Sequence, residues 1–216
     1  MARAGQRDDA RHWLPSQGVD PAPLAELNAE CLGLLASRAA EEEEPVPLPP
    51  LIAGLRQQWS ALPAPAVRRL AAAPFALFDA GFARLPRWLE HRAPGVHDSW
   101  HCADICYFDA GAARSITRRM LVYGWHLARS RPRAACLVFG VTLPAVESLA
   151  GCSLAMLEIV AERHGEALRP RWAHQQNFWR ELLLAASSEG ADRRLHELLL
   201  GGVQRLAAET LAAHSP

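Results

Sequence analysis

SITRRMLVYGWHLARSRPRAACLVFGVTLPAVESLAGCSLAMLEIVAERHGEALRPRW, residues 115–172, is the stretch whose reading decides the fold. It reads as a helix, a short helix, a third helix, a sharp turn and a fourth helix, closing in an extended basic tail. Ser130 and Pro132 start the second helix and Gly140 ends it. Thr142 and Pro144 start the third, Gly151 breaks it, and Ser153 is a ready N-cap for the fourth. Proline in a first helical turn gives up no needed N–H, and glycine past a helix end takes positive φ cheaply.

The composition around this stretch agrees with it. Half of the 216 residues are hydrophobic, enough to bury a sizeable core. Alanine, leucine and arginine dominate while isoleucine, threonine and tyrosine are few, which favours helix over sheet. The expected class is all-α, a multi-helix orthogonal bundle with a helix-turn-helix-like centre. Net charge is zero, so the chain as a whole is not an obvious polyanion binder. The charge is uneven, however: residues 115–172 hold eight arginines against four glutamates, and residues 1–100 ten arginines against twelve acids.

Working toward the N-terminus, Leu24–Arg38 has Leu24, Leu27, Cys31, Leu34 and Leu35 on one helical stripe. EEEEPVPLPP, Glu41–Pro50, cannot continue that helix and reads as a solvated linker. Leu51–Trp59 is a short amphipathic helix and Ala66–Ala73 another. PFALFDAGF, from Pro74, is the most aromatic stretch and belongs in the core. The division expected is 1–50 as a partly helical arm and linker, 51–110 as an N-terminal helical subdomain, and 111–216 as the main helical domain.

VHDSWHCADIC, residues 96–106, looks at first like a metal site. On a helix, His97 and His101 share one face and Cys102 and Cys106 another, roughly 100° apart. No second pair at ligand spacing occurs, so a helix with a thiol-bearing apolar face is expected, and no metal. Five scattered cysteines argue for reduced thiols in a cytoplasmic protein. A signal peptide is not expected, and no uncharged apolar run approaches the ~20 residues of a membrane span.

After Trp172, Asn177 is placed to cap a helix carrying Phe178, Leu182 and Ala185. Leu195–Ala213 is a last amphipathic helix. Phosphate-loop, dinucleotide-loop, nucleophile-elbow and HExxH motifs do not occur, and there is no lysine, which removes Schiff-base chemistry. Cys102 with His126 is one conceivable catalytic pair, but spacing does not select it. An enzyme is not expected, and no cofactor.

Residues 146–163, VESLAGCSLAMLEIVAER, have a helix-turn-helix cadence. Across the wider segment the chain resembles the FlhD family of flagellar transcriptional regulators. The resemblance runs through Leu127, Ala128, Arg129, Ala134, Phe139, Gly140, Leu149, Ala150, Ser153, Leu154, Leu157, Ala161 and Glu162, with Arg169, Arg171 and Trp172 at the tail. It covers about a quarter of the chain, and the preceding hundred residues have no counterpart in it. It implies an all-α, dimer-prone protein that acts with an FlhC-like zinc-binding subunit on promoter DNA and RNA polymerase.

Two functions follow. In the first, the chain is a transcriptional regulator whose Arg129, Arg131 and Arg133, with Arg163, Arg169 and Arg171, line up to contact DNA phosphates. The helix after the turn carries Leu154, Ala155, Met156, Glu158 and Glu162, which are poor at reading base edges, so contact by phosphate or through a partner is expected. In the second, the chain is an all-α protein–protein adaptor with no nucleic-acid role. A homodimer contact is expected on the helix bearing Met120, Tyr123, Trp125 and Leu127, which is apolar around most of its circumference.

Overall fold

The computed structural model describes residues 20–41, 47–90 and 106–212. The protein is all-α, with one two-stranded ribbon among the described residues. Its elements are α1 (Ala22–Ala40), α2 (Pro50–Gly54), α3 (Arg56–Ser60), α4 (Ala64–Ala71), β1 (Phe78–Asp79) and α5 (Leu85–Glu90), then α6 (Ala110–Ser130), α7 (Pro132–Phe139), α8 (Leu143–Ala150) and α9 (Leu154–His164), and last β2 (Arg169–Pro170), α10 (Gln176–Ser187) and α11 (Asp192–Ala212). Short 3-10 turns at Phe82–Arg84 and Gly165–Ala167 complete the path.

The helix boundaries follow local chemistry. The Asp109 carboxylate accepts the Ala112 N–H at 2.9 Å to start α6, and Ser153 Oγ accepts the Met156 N–H at 3.2 Å to start α9. Each satisfies one of the orphan donors of a first helical turn. Pro132 sits in the first turn of α7, and Gly140 ends α7 at φ 57°, where a side chain would be strained. Two expectations are corrected. Leu51–Trp59 is not one helix: the chain breaks at Leu55 (φ −127°, ψ 27°), whose side chain turns fully into the core. Asn177 does not cap α10 but lies in its first turn, where its side-chain oxygen accepts from Arg180 at 2.7 Å.

One contiguous core runs from Leu24 to Leu206 and crosses both expected boundaries, at 50 and at 110. Across them α1 packs on α3, α4 and α6, and α10 packs on α4 and α3. Its centre is aromatic: Trp59 and Trp179 lie 5.5 Å apart, Phe78 and Trp179 6.1 Å, Phe78 and Phe108 5.9 Å, all within the range of favourable ring pairing. The stretch after Pro74 is buried, as its aromatics demand: Phe75, Leu77, Phe78 and Phe82 are all in the core.

Distant segments are joined by polar groups that the core encloses. Asn28, 1% exposed, donates from Nδ2 to the carbonyls of Ala71 and Phe75 and accepts the Leu77 N–H on Oδ1 at 3.0 Å. The ribbon pairs β1 with β2 antiparallel, Phe78 opposite Pro170 and Asp79 opposite Arg169. Arginines close two helix ends. Arg56 donates to the carbonyls of Ala39 and Glu41 at the end of α1, and Arg69 to those of Ala185, Ala186 and Ser188 at the end of α10. Guanidinium donors there satisfy terminal carbonyls and complement the negative helix end.

Candidate functional site

Helices α6–α9 hold most of the residues expected to act, and ion pairs fix how they lie. Arg114 meets Glu162 at 3.5 Å, and Arg118 meets Glu158 at 2.6 Å and Glu162 at 3.4 Å. Further along α6, the Trp125 ring N–H donates to the Cys152 carbonyl at 2.9 Å. Low numbers on α6 thus meet high numbers on α9, and the two helices run antiparallel. Glu158 and Glu162, the acids of the helix after the turn, pair with arginines of the same chain.

This arrangement separates the arginines expected to act together. Arg163 stands beside the Arg114 end of α6, whereas Arg129 is near its other end. Fifteen residues at 1.5 Å rise put those ends ~22 Å apart. Arg129, Arg131 and Arg133 bracket the α6–α7 break. Arg129 and Arg133 are exposed and Arg131 half-buried, and Arg129 lies over the Trp125 ring at 4.7 Å. Arg169 is half-buried in the ribbon.

Arg171 is corrected outright. It is 9% exposed and works inside the fold. Its Nε donates to the Ala76 carbonyl at 2.8 Å, its Nη2 to the Phe139 carbonyl, and its backbone N–H to Leu77. Burial lowers its pKa, opposed by the charges of Asp79 and Glu209. It binds the turn after α4, the end of α7 and the ribbon together, so it does not reach DNA. Of the six, Arg171 is buried, Arg131 and Arg169 are half-buried, and Arg129, Arg133 and Arg163 are exposed.

Of the dimer contact expected on α6, two residues lie in the core of the chain itself. Met120 is 1% exposed and Leu127 3%, both buried against α6's neighbours in the chain. Tyr123 and Trp125 are half-buried, Tyr123 edge-on to Phe139 at 6.0 Å. The Tyr123 hydroxyl is buried with no hydrogen-bond partner among the described residues, and desolvation raises its pKa. Helices α7, α8 and α9 pack on α6 and cover much of its apolar circumference, but not Val122.

What the sequence did not single out is the apolar surface left over. One turn beyond the Arg118–Glu158 pair stand Val122 on α6 and Leu154 on α9, 39% and 56% exposed. Ile159, Leu137 and Leu143 are exposed too, on α9, α7 and α8. Helical periodicity cannot find them, because it marks which residues are apolar and not which of them a neighbour covers.

Among the described residues no group of three or more His, Cys, Asp or Glu is placed to hold a metal. His97, Asp98, His101 and Cys102 lie outside the described residues, as does the Cys102 half of the pair with His126; Cys106 is exposed. No single helix among the described residues is long and apolar enough to cross a membrane. The one combination that passes on length and composition is α7 with α8, bent by 115°, and both contribute buried residues to the core. Comparison with known proteins adds no relative: no family model matches the chain, and neither the curated proteins nor the solved structures give a match.

Proposed function

We propose that the chain is an all-α protein–protein interaction module that docks a partner subunit on α6–α9 and does not read DNA with them. The separation of Arg163 from Arg129, with Arg171 in the core, carries this reading. The surface that remains joins an apolar rung, Val122 and Leu154, to the arginine-capped edge at Trp125 and Arg129. It suits an apolar helix face with acidic margins. A photo-crosslinking residue at Ile159 should give one discrete adduct in cells, lost in a Leu154→Asp background and absent from the same probe at Gln204 on α11. Adducts equal at both positions would refute the docking face.

A second reading keeps the FlhD resemblance. The chain then acts as a regulator, as a homodimer or with an FlhC-like subunit, on promoter DNA and RNA polymerase. The observation favouring it is the placement of Arg129, Arg131 and Arg133 within five residues at the α6–α7 break. Duplex DNA of random sequence separates the two. A mobility shift that weakens steeply with salt and is lost in Arg129→Gln/Arg133→Gln supports the regulator, and no shift at low salt supports the module. Sedimentation at tens of micromolar settles whether a second copy occupies the docking face.

A further inference from the structure

The corner where α6 gives way to α7, and α7 to α8, carries charge of one sign. Between Asp109 and Glu147 the chain holds six arginines and no acid. Three of the six are neutralised within the fold: Arg114 by Glu162, Arg118 by Glu158 and Arg119 by Glu30. The other three, Arg129, Arg131 and Arg133, make neither an ion pair nor a side-chain hydrogen bond among the described residues. Arg129 has the Trp125 ring beneath it instead. Their Cα atoms span four peptide steps, at most ~15 Å. The acids of α11, which packs on α7, are taken: Asp192 by Arg69, Glu197 by Arg193 and Glu209 by the Trp172 ring N–H. Glu147 on α8 is exposed and unpaired among the described residues. Three guanidiniums therefore stand against one carboxylate.

Apolar side chains leave the same corner uncovered. Arg133 and Leu137 lie one turn apart on one face of α7, and Leu137 is 64% exposed. Beyond Gly140 the axis bends by 115°, and α8 opens with Leu143, 44% exposed, and exposed Pro144. The other faces of these helices are spent on the core, through Val138 and Phe139 on α7 and Ala145 and Val146 on α8. Duplex DNA would satisfy the guanidiniums but offers Leu137 no hydrocarbon, and it lies only ~6 Å along the helix from Arg133. An anionic bilayer surface offers both, phosphates and carboxylates lying over acyl chains. Arginine stems are long enough to hold the headgroups while a neighbouring leucine sits deeper.

We propose that the α6–α7–α8 corner seats the chain on an anionic lipid surface. Leu137 and Leu143 enter the boundary between headgroups and acyl chains, and Arg129, Arg131 and Arg133 lie on the headgroups. The contact is peripheral and spans nothing. It goes beyond partner docking and does not rest on the Val122–Leu154 rung.

The test sediments the full chain with vesicles of phosphatidylserine and phosphatidylcholine in equal parts, and with vesicles of phosphatidylcholine alone, at rising sodium chloride. Binding to the anionic vesicles alone, weakening with salt, is expected. Arg129→Gln/Arg133→Gln should weaken it about tenfold or more, and Leu137→Ser about threefold or more. Arg129→Lys/Arg133→Lys should keep most of it, because the charge remains. Leu211→Ser, exposed on α11, should leave it unchanged. All these side chains are exposed, and circular dichroism checks that each variant keeps the helicity of the wild type. No binding, equal binding to both vesicles, or binding unaltered in either the glutamine variant or Leu137→Ser would overturn the proposal. Loss in the glutamine variant alone, with a duplex DNA shift lost in parallel, would make nucleic acid the ligand of these arginines.

Discussion

The Arg69 guanidinium on α4 donates to the Ala186 carbonyl at the end of α10 at 2.8 Å, across 117 residues of sequence. The same side chain reaches the Ser188 carbonyl at 3.0 Å and Asp192 at 2.6 Å, and is 27% exposed. It therefore closes α10 and holds the start of α11 in one step. Arg69→Met should lower stability by about 2 kcal/mol, since several carbonyls lose a charged donor. Urea unfolding measures it. Arg193→Met, at a 94% exposed side chain, should change the midpoint little. Equal effects at the two positions would show that Arg69 is an ordinary surface charge.

Asn28 supplies both donor and acceptor where α1 crosses the turn after α4. Asn28→Ala leaves the Ala71 and Phe75 carbonyls and the Leu77 N–H without partners in the interior. The expected loss is about 3 kcal/mol by chemical denaturation. Asn28→Asp should not rescue it, because a carboxylate would face two carbonyl oxygens. A loss below about 1 kcal/mol for Asn28→Ala would mean that water replaces the side chain without cost.

Gly140 and Gly190 separate backbone strain from crowding. Both have positive φ, 57° and 79°, but a Cβ on Gly140 would lie 2.4 Å from Leu206 Cδ2, whereas one on Gly190 would meet nothing within 4 Å. Gly190→Ala should cost about 1 kcal/mol, the penalty of the left-handed region alone. Gly140→Ala should cost roughly 1 kcal/mol more, because α11 must shift to admit the methyl. Equal losses would show that Leu206 turns aside freely.

Burial pushes the Cys31 thiol far above its usual 9.0, with the Glu30 charge adding to the effect. The folded chain keeps this proton while the unfolded chain releases it. Stability is thus fully present below pH 9 and falls as pH rises above it, by up to about 1.4 kcal/mol per unit. The difference in slope between the wild type and Cys31→Ala from pH 9 to 10 should approach one proton. A thiol reagent at pH 8 should label exposed Cys106 in the native state and Cys31 only on unfolding.

Local signals were legible wherever a few neighbouring residues decide the outcome. Gly140 ends α7, Ser153 caps α9, and Pro132 and Pro144 sit in first turns, because capping and proline geometry are set within one helical turn. The aromatics after Pro74 are buried, since solvent offers them no alternative. Long-range outcomes were not legible. RPRW at 169–172 reads as a basic surface tail, yet pairing with residues 76–79, some ninety positions earlier, draws Arg171 into the core. The charges of Glu158 and Glu162 gave no hint that Arg114 and Arg118 would neutralise them. The break at Leu55 is likewise a demand of the core that helical periodicity cannot express.

The Phe78–Pro170 register also constrains how the chain matures on the ribosome. Residues 1–160, once emerged from the exit tunnel, possess every aromatic of the first half but lack the strand that seats Phe78 and the guanidinium that fastens Ala76 to Phe139. Closure over such a separation is entropically slow. The nascent protein must therefore carry Phe78 and its neighbours without these partners until residues 169–171 are translated, the interval in which a holding chaperone has most to protect.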